Sequence, residues 1–349
     1  MLFQMAHCSP VSDRLFPTAL ESQSLSLRRY CPALKAEWDA FIGGARNATF
    51  LFQRDYMDYH AERFLDHSLM LYEEGRLAAV LPANMDAEGV LASHDGLTYG
   101  GLVVAPTITL RQTITCFQRV LMELHAAGVA TLRYKRFPAY YSSGPEDDLG
   151  YCLFLLDARL YRRDCTLAVP LDYRLPVQKR RARQAKKAVQ AGLAIREDAE
   201  FSDFWQKVLT PRLAERYGVR PVHSLAEMQL LASRFPKNIK QFSVFDGDEV
   251  LAGITIYETP DVAHAQYIAS TERGRNLGAL DFLVGWLLNE RYDRKRHFDF
   301  GGSNEQQGRA LNHGLVEWKE GFGARSFALD YYQISTANYG QLEKVLASE

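Results

Sequence analysis

Cysteine is scarce in this chain, and the few cysteines are scattered along it. They are odd in number and no two form a C-x-x-C pair, so the sequence predicts neither a disulfide framework nor a structural zinc site. We expect all five to be reduced, structural thiols: Cys8, Cys31, Cys116, Cys152 and Cys165.

Long hydrophobic runs are absent as well. No stretch approaches the ~20 apolar residues that span a bilayer. The N-terminal sequence MLFQMAHCSPVSDRLF lacks the order of a signal peptide, in which a basic region precedes an apolar one. The sequence therefore predicts a cytoplasmic protein without a transmembrane segment.

Net charge is nearly absent too, because 41 lysines and arginines face 42 aspartates and glutamates and leave −1. A chain so balanced has no overall field to attract nucleic acid or an anionic membrane, and either partner would need a local patch. We expect no DNA partner. With 47% hydrophobic residues the composition is globular, and 349 residues predict two domains of about 150 residues each.

Several common motifs are missing. The chain has no Walker motif, no G-x-G-x-x-G after a predicted strand and no cysteine triad, which excludes kinases, dinucleotide oxidoreductases and iron–sulfur enzymes. His60 and His67 are not accompanied by the carboxylate and histidine pattern of a metal site. We therefore predict no metal and place both histidines at the surface.

The C-terminal half has the clearest periodicity. Ser224 and Glu227 have the spacing of a capping box before a helix that Pro236 ends. The strands QFSVF and EVLAGITIYE flank a glycine turn at residues 246–248, and a third antiparallel strand, HAQYIAS, follows. Further along, the pattern predicts a helix in GALDFLVGWLLNE, a strand in HFDF, a helix in LNHGLVEWKEGF and a strand in RSFALDYYQI.

The first half repeats this order. SLMLY and LAAVLPANM flank a turn at residues 74–75, and they are followed by the strand TYGGLVV, the helix LRQTITCFQRVLMELHAAG and the strand ATLRYKRF. From Gly75 to Lys135 the unit spans 60 residues, and from Gly247 to Asp299 it spans 52. We predict an α/β (α+β) fold with mixed sheets, built from two similar domains over 1–165 and 166–349, with a ligand cleft between them.

One strong charge run joins the halves. The segment RLPVQKRRARQAKKAVQAGL has alanines at helical spacing and no acid before Glu197, which predicts a basic linker helix over 174–192. It is either a solvated helix or a phosphate-contacting face for a nucleotide, a phospholipid-linked sugar or a tRNA.

The segment FDFGGSNEQQGRALNHGLVEWKEGFGAR, together with the upstream QYIAS and RRARQAKKAVQAGL, resembles the C-terminal half of the FemAB-like proteins, a branch of the GNAT acyltransferase superfamily. The resemblance implies two tandem GNAT-like domains. It implies an N-acyltransferase that moves an acyl group from acetyl-CoA or another acyl-CoA, without a tightly bound cofactor, to an amine acceptor. That acceptor is expected to be an amino sugar or a cell-surface polymer precursor in the cleft.

The resemblance also implies where the donor lies. In GNAT proteins the fourth and fifth strands splay apart and hold the pantetheine arm like an added strand, while the next helix presents its N-terminus to the pyrophosphate. Asn276 stands where the superfamily turn has its first glycine. The expected donor-binding residues are Gln266, Tyr267, Arg273, Arg275, Asn276 and Gly278.

Three residues are candidates for catalysis. Lys319 matches the lysine of the family's F-K-x-x-F-G motif and would stabilise the oxyanion or a donor phosphate; its alternative is an exposed lysine paired with Glu320. Asp299, between two phenylalanines, is an acceptor-binding group, a base with a raised pKa, or a structural acid. His264 is a candidate base or a structural histidine. The mechanism requires an open gap between the strands of Gln266 and Asp299, with Lys319 at its mouth.

Other polar residues are candidates for the acceptor site. They lie in the glycine-rich loop SHDGLTYGG, at the end of the strand ATLRYKRF and after the strand HFDF: His94, Asp95, Tyr99, Lys135, Tyr141, Ser303 and Glu305. Two other functions stay open, an aminoacyl-tRNA-dependent Fem-type transferase that binds tRNA through the basic helix, and a non-catalytic saccharide-binding relative.

Overall fold

The computed structural model describes residues 25–347. The strands are β1 (Leu25–Arg29), β2 (Leu65–Asp66), β3 (Leu69–Glu73), β4 (Arg76–Leu81), β5 (Asn84–Met85), β6 (Leu91–Ala92), β7 (Val103–Val104), β8 (Thr131–Lys135), β9 (Arg159–Pro170), β10 (Ala194–Glu197), β11 (Ile239–Asp246), β12 (Glu249–Glu258), β13 (Val262–Ser270), β14 (His297–Gly302), β15 (Asn304–Glu305), β16 (Ala310–Leu311) and β17 (Arg325–Ser335).

The helices are α1 (Lys35–Gly44), α2 (Arg54–Met57), α3 (Leu110–Ala126), α4 (Asp148–Leu155), α5 (Lys179–Gln190), α6 (Ser202–Phe204), α7 (Thr210–Tyr217), α8 (Leu225–Arg234), α9 (Glu272–Leu277), α10 (Ala279–Trp286), α11 (His313–Glu320) and α12 (Tyr339–Ala347). Single π-helical turns follow α6 and α10. Within the described range no helix is long and apolar enough to cross a membrane.

The predicted elements of both halves are present, and the fold is the expected mixed α/β type. Ser224 caps α8 through the backbone N–H of Glu227, whose side chain accepts from the N–H of Ser224 in return. The β11–β12 hairpin turns at Gly247, where φ is 58°. Two expected elements are shorter than predicted: the linker helix is α5, and the strand TYGGLVV is reduced to β7.

Two long antiparallel strands join the halves into one sheet. The large sheet has the order β10-β11-β12-β13-β14-β9-β17-β8-β6-β5-β2, and a second sheet has the order β1-β3-β4-β7. β9 lies between β14 and β17, and β17 lies between β9 and β8. Each half therefore places a long strand beside a strand of the other half, and the expected boundary at residue 165 falls inside β9.

The hydrophobic core reflects this exchange of strands, in which β9 and β17 each pair with a strand of the other half. Ile334 of β17 and Leu342 of α12 are buried in the same cluster as Phe117 of α3 and Leu132 of β8, although they come from the end of the chain. A separate cluster packs α10 against the second-half strands. Packing of the C-terminal residues on the first half fixes where β17 runs, and this strand forms one wall of the site described below.

The two halves differ at the place where a ligand could enter the sheet. β13 and β14 pair in parallel at only three positions, which end at His264 and Asp299, while β13 continues to Ser270. The strands separate there, as the resemblance implied. In the first half, β6 pairs in parallel with Leu132 and Arg133 of β8, and the chain stays on β8 beyond this pair, because the N–H of Ser93 donates to the Arg133 oxygen and Ser93 Oγ accepts from the N–H of Lys135.

A seam of aromatic rings and histidines runs between the halves. Tyr59 stacks on His60 with ring centroids 4.2 Å apart, and His60 lies 5.5 Å from His94. His60 is 4% exposed, so the expectation that it lies at the surface was wrong. On the other side of Tyr59, the Tyr267 hydroxyl accepts from the backbone N–H of His223 and lies 2.5 Å from Nδ1 of the same residue.

These buried histidines predict a loss of stability in acid. Burial lowers the pKa of His223 to about 4, so below the ordinary value near 6.5 the unfolded chain takes up a proton that the folded chain does not. The contribution of the neutral histidine to the free energy of unfolding is complete above pH ~6.5. It falls by about 1.4 kcal/mol per pH unit as the pH drops toward 4. When the pH falls from 7 to 5, the free energy of unfolding measured in urea should decrease by about 2 kcal/mol less for His223→Gln than for the wild type.

The exposed His313→Gln is the matched control and should keep the wild-type pH dependence. Equal slopes for wild type and His223→Gln would show that His223 is not held neutral in the folded state.

Candidate active site

A cavity of about 600 Å³ opens where β13 and β14 separate. The first half lines it with Asp95, Leu97, Thr98, Tyr99, Lys135, Pro138, Tyr140 and Tyr141. The central strands β9 and β17 add Tyr161, Arg162, Asp164, Thr166, Leu329 and Tyr331, and the second half adds His264, Ala265, Gln266 and residues 299–302. The cavity thus lies at the meeting of both halves, where the sequence predicted a cleft.

Asp299 is the central polar group of this cavity. The residue is buried, with 2% of its surface exposed, and both carboxylate oxygens accept hydrogen bonds. Oδ2 accepts from Tyr140 Oη (2.9 Å), Tyr141 Oη (2.8 Å) and His264 Nδ1 (2.9 Å), and Oδ1 accepts from Thr166 Oγ1 (2.9 Å) and the backbone N–H of Gly301 (2.8 Å). One carboxylate therefore ties together the first half, the exchanged strand β9 and the second half.

This network sets the ionisation of Asp299. Burial alone would raise the pKa of the carboxyl, but the adjacent His264 and the donated hydrogen bonds hold it well below its usual range. Asp299 is thus a stable anion and a poor proton acceptor. The interpretation of Asp299 as a base with a raised pKa is wrong, because so many donors stabilise its charged form.

His264 is oriented by that anion. An ionised carboxylate can only accept, so the proton between the two groups lies on Nδ1 of His264, and when the ring is neutral its Nε2 is left as an acceptor. The His264 side chain is 14% exposed and lines the cavity. A histidine held by a buried carboxylate in this tautomer can take a proton from a group bound in the cavity.

Lys319 does not face the cavity. Its Nζ donates to the backbone oxygens of Gly301 (2.9 Å) and Gly302 (2.8 Å) and to Ser303 Oγ (2.8 Å), which uses all three of its protons. It is 2% exposed, so neither the predicted cation at the mouth of the gap nor the exposed lysine paired with Glu320 is present. Burial lowers the pKa of Lys319 to about 8, although the charge of Asp299 opposes this.

Lys135 has the same arrangement in the first half. Its Nζ donates to the backbone oxygens of His94 (3.1 Å), Asp95 (3.0 Å) and Leu97 (2.8 Å). Burial lowers its pKa to about 8. Although Lys135 lines the cavity as predicted, its ammonium group holds the loop that carries Asp95 and Tyr99.

The other charged side chains of the cavity differ in how fully they are paired. The guanidinium of Arg162 binds both oxygens of Asp164 and lies over the ring of Tyr331, 4.5 Å from its centroid. Asp95 is 37% exposed at its side chain, with the Nζ of Lys135 3.9 Å away. Five tyrosine rings and one open carboxylate therefore dominate the lining.

Besides Lys319 and the donor turn, four predicted residues lie outside the cavity lining. His94 is 3% exposed with φ of 67° and packs against His60, and Ser303 is buried on Lys319. Glu305 is exposed and accepts from the Asn312 side chain. Tyr267 points to the opposite face of β13, toward His223, because successive strand side chains alternate.

The expected donor turn is engaged in packing. Thr271 caps α9 by accepting from the N–H of Gly274, and Arg273 pairs with Asp246 and Glu249 of the neighbouring hairpin. A Cβ on Gly274 would lie 2.4 Å from the backbone oxygen of Leu251. This glycine is therefore required for the close packing of α9 on β12.

The other residues of the turn are either packed against the protein or exposed. Gly278 has φ of 77° and its added Cβ would lie 2.3 Å from the backbone oxygen of Gln184 on α5. Lys187 donates to the backbone oxygen of Asn276. The side chains of Arg275 and Asn276 are exposed, and Nη1 of Arg275 donates to the backbone oxygen of Ser270, so Asn276 is the predicted residue of the turn whose side chain is free to meet a donor.

Sequence reasoning missed the part of the site that comes from β9. Arg162, Asp164 and Thr166 alternate along this strand and face the cavity. Their period of two was present in RLYRRDCTLAVP, but the charged residues concealed a strand that is central in the sheet. Within the described residues, no group of three or more histidine, cysteine, aspartate or glutamate side chains is arranged to hold a metal ion.

Comparisons with known proteins agree with the resemblance seen in the sequence. Residues 177–320 match the family model of the acetyltransferase (GNAT) domain. The crystal structure of FemX superposes with a TM-score of 0.63 at 12% identity, over 91% of this chain and 99% of that chain. A search of curated proteins finds no match.

Two further solved structures share the fold at lower similarity. The C-terminal domain of a putative lysylphosphatidylglycerol synthetase from Agrobacterium fabrum has a TM-score of 0.50 at 11% identity, over 77% of this chain and 85% of that one. L-PGS from Bacillus licheniformis has a TM-score of 0.50 at 13% identity, over 78% and 87%. Residues 177–320 therefore match the GNAT acetyltransferase family model, and the chain as a whole has the fold of FemX.

Proposed function

We propose that this protein transfers an acyl group from an acyl-CoA to an amine acceptor bound in the central cavity, with His264 as the general base. The observation that carries the proposal is the buried Asp299–His264 pair at the point where β13 and β14 separate. A base with a fixed tautomer at an opening in a GNAT sheet meets the first requirement of acyl transfer, which is a neutral amine.

The proposed steps use groups of this chain only. Nε2 of His264 takes a proton from the acceptor ammonium, and the amine nitrogen attacks the thioester carbonyl. As the new C–N bond forms and the C–S bond breaks, the proton released by the nitrogen reaches the leaving thiolate. Asp299 stabilises the imidazolium, and unpaired backbone N–H groups of β13 beyond His264 are available to the donor arm and to the oxyanion.

The lining supports an amino sugar or a saccharide-linked amine, such as a surface-polymer precursor, as the acceptor. Tyrosine rings stack on sugar rings, and the open carboxylate of Asp95 can pair with an ammonium group. Lys135 and Arg162 are both engaged within the protein, so the cavity has no free cation for a phosphate or carboxylate. A small saccharide that carries an amine and no anionic group therefore fits best.

The α9 turn favours a second candidate, an aminoacyl-tRNA-dependent transferase of the Fem type. Arg273 is paired and Gly274 and Gly278 are packed against backbone, so a CoA pyrophosphate would find fewer free groups here than a GNAT turn normally offers. Transfer assays with acetyl-CoA and with aminoacyl-tRNA as donors distinguish the two. A saccharide-binding relative without activity would transfer from neither donor.

Replacement of the proposed base tests the chemistry. His264→Gln keeps a polar side chain beside Asp299 but cannot accept a proton from the amine, so kcat should fall by about 10²–10⁴ while the fold is retained. Steady-state transfer to an amino sugar, with circular dichroism as the check of folding, measures this. The exposed His313→Gln should keep full activity, and a His264→Gln variant as active as His313→Gln would contradict the assignment.

The two buried lysines form a matched pair for the positioning of the site. Lys319→Met and Lys135→Met each leave backbone oxygens without a partner, and each should lower the free energy of unfolding by about 1–3 kcal/mol. Because Lys319 holds the turn whose Gly301 N–H binds Asp299, its loss should lower kcat; because Lys135 holds the loop of Asp95 and Tyr99, its loss should raise the acceptor KM.

Steady-state kinetics of both variants at a temperature where both are folded separate these effects. The same change in kcat and KM for the two variants would show that the lysines act only through stability.

Donor binding is tested without turnover. Acetyl-CoA at millimolar concentration should raise the midpoint of thermal unfolding, since a ligand that binds only the folded state stabilises it by mass action. Gln266→Trp fills the gap beside β13 and should abolish the shift while leaving the unliganded midpoint near that of the wild type. A wild type that shows no shift would favour a donor other than CoA.

A further inference from the structure

The helix α5 is held so that one face is fixed toward the second-half core. Arg181 Nη1 donates to Asp281 Oδ1 at 2.8 Å, with both side chains about 10% exposed. Ala188 is buried, and the backbone of Gln184 lies against Gly278. Because these contacts lock the rotation of the helix, the residues on its opposite side present a preformed outward face.

That outward face is basic and unpaired. Lys179, Arg183 and Lys186 are exposed, and none of them makes an ion pair or hydrogen bond within residues 25–347. Arg180 meets Glu317 at 3.4 Å, but both side chains are more than 60% exposed, where such a pair contributes little. The sequence has no acid between Asp172 and Glu197 to neutralise this surface.

Exposed apolar side chains precede and follow the same cations along the chain. Val189 is 58% exposed on the side of α5 next to Lys186, and Val177 and Tyr173, just before the helix, are 43% and 75% exposed. Apolar and aromatic side chains beside lysine and arginine are the composition of surfaces that lie at the boundary between bilayer headgroups and acyl chains.

We propose that the α5 face, formed by Lys179, Arg183 and Lys186 with Tyr173, Val177 and Val189, docks on a bilayer that contains anionic phospholipids. The cations would contact the headgroups and the apolar side chains would enter the interface. RNA would use the cations equally well but would leave the two exposed valines without a role. The net charge of −1 supplies no overall attraction to an anionic surface, so a local face has to provide it.

The docking proposal does not depend on the acyl-transfer chemistry. It does concern the surface that the second candidate function would use for tRNA, so one experiment bears on both. If the α5 face binds a bilayer, the acceptor of the transferase is expected among molecules held at that bilayer, and the helix would bring the cavity to them.

Co-sedimentation of the full chain with phospholipid vesicles tests the proposal. The protein should bind vesicles that contain phosphatidylglycerol, bind pure phosphatidylcholine vesicles much more weakly, and lose binding as salt is raised. The triple variant Lys179→Gln/Arg183→Gln/Lys186→Gln should bind about 100-fold more weakly, since each cation near an anionic surface contributes about fivefold.

Three exposed cations elsewhere provide the matched control. Arg76→Gln/Arg220→Gln/Lys237→Gln removes the same charge from other surfaces and should bind anionic vesicles as the wild type does. Val177→Ser/Val189→Ser should weaken vesicle binding and leave the fold intact, which an RNA surface would not require.

Three results would overturn the proposal. They are binding that does not discriminate phosphatidylglycerol from phosphatidylcholine, an equal loss in the two triple variants, and binding of bulk tRNA but not of vesicles. The last result would assign the α5 face to RNA and support the second candidate function. Transfer to a soluble amine measured on the Lys179 triple variant should be unchanged, which keeps this test separate from that of the proposed chemistry.

Discussion

A single buried carboxylate joins the parts from which the cavity is built. Asp299 receives hydrogen bonds from Tyr140 and Tyr141 of the first half, from the exchanged strand β9, and from His264 of the second half. A buried charge is costly unless it is fully paired, so these four donors and the backbone N–H of Gly301 must be in place together. The requirement fixes how the halves meet, and it leaves the imidazole of His264 in one tautomer at the opening of the sheet.

Two other buried charges support the same geometry from a distance. Lys319 and Lys135 each donate hydrogen bonds to backbone oxygens of a loop, and each loop carries groups that line the cavity. The exchanged strands β9 and β17 supply the floor between the loops. Because the cavity needs segments from both halves and from both exchanged strands, neither half alone contains the site.

Much of this could be predicted from the sequence, and the failures have physical causes. The hairpins, the helix capped by Ser224 and the separation of strands near Gln266 follow from local periodicity and from the resemblance. Asp299 and His264 were recognised singly, but their contact depends on pairing across β13 and β14. The direction of the Lys319 side chain depends on which backbone carbonyls of the nearby turn are left unpaired, which the sequence does not show. Strand β9 was missed because the charged side chains that line the cavity give it the sequence pattern of an exposed segment.

The most direct test of the account is the tautomer of His264. Nitrogen NMR of the protein labelled in histidine, at a pH where the ring is neutral, should show Nδ1 protonated and Nε2 free in the wild type. In Asp299→Asn the same resonances should move toward the Nε2-protonated form, since an amide no longer imposes the proton on Nδ1. A wild-type ring protonated at Nε2 would contradict the account, because such a histidine has no free nitrogen in the cavity with which to accept a proton.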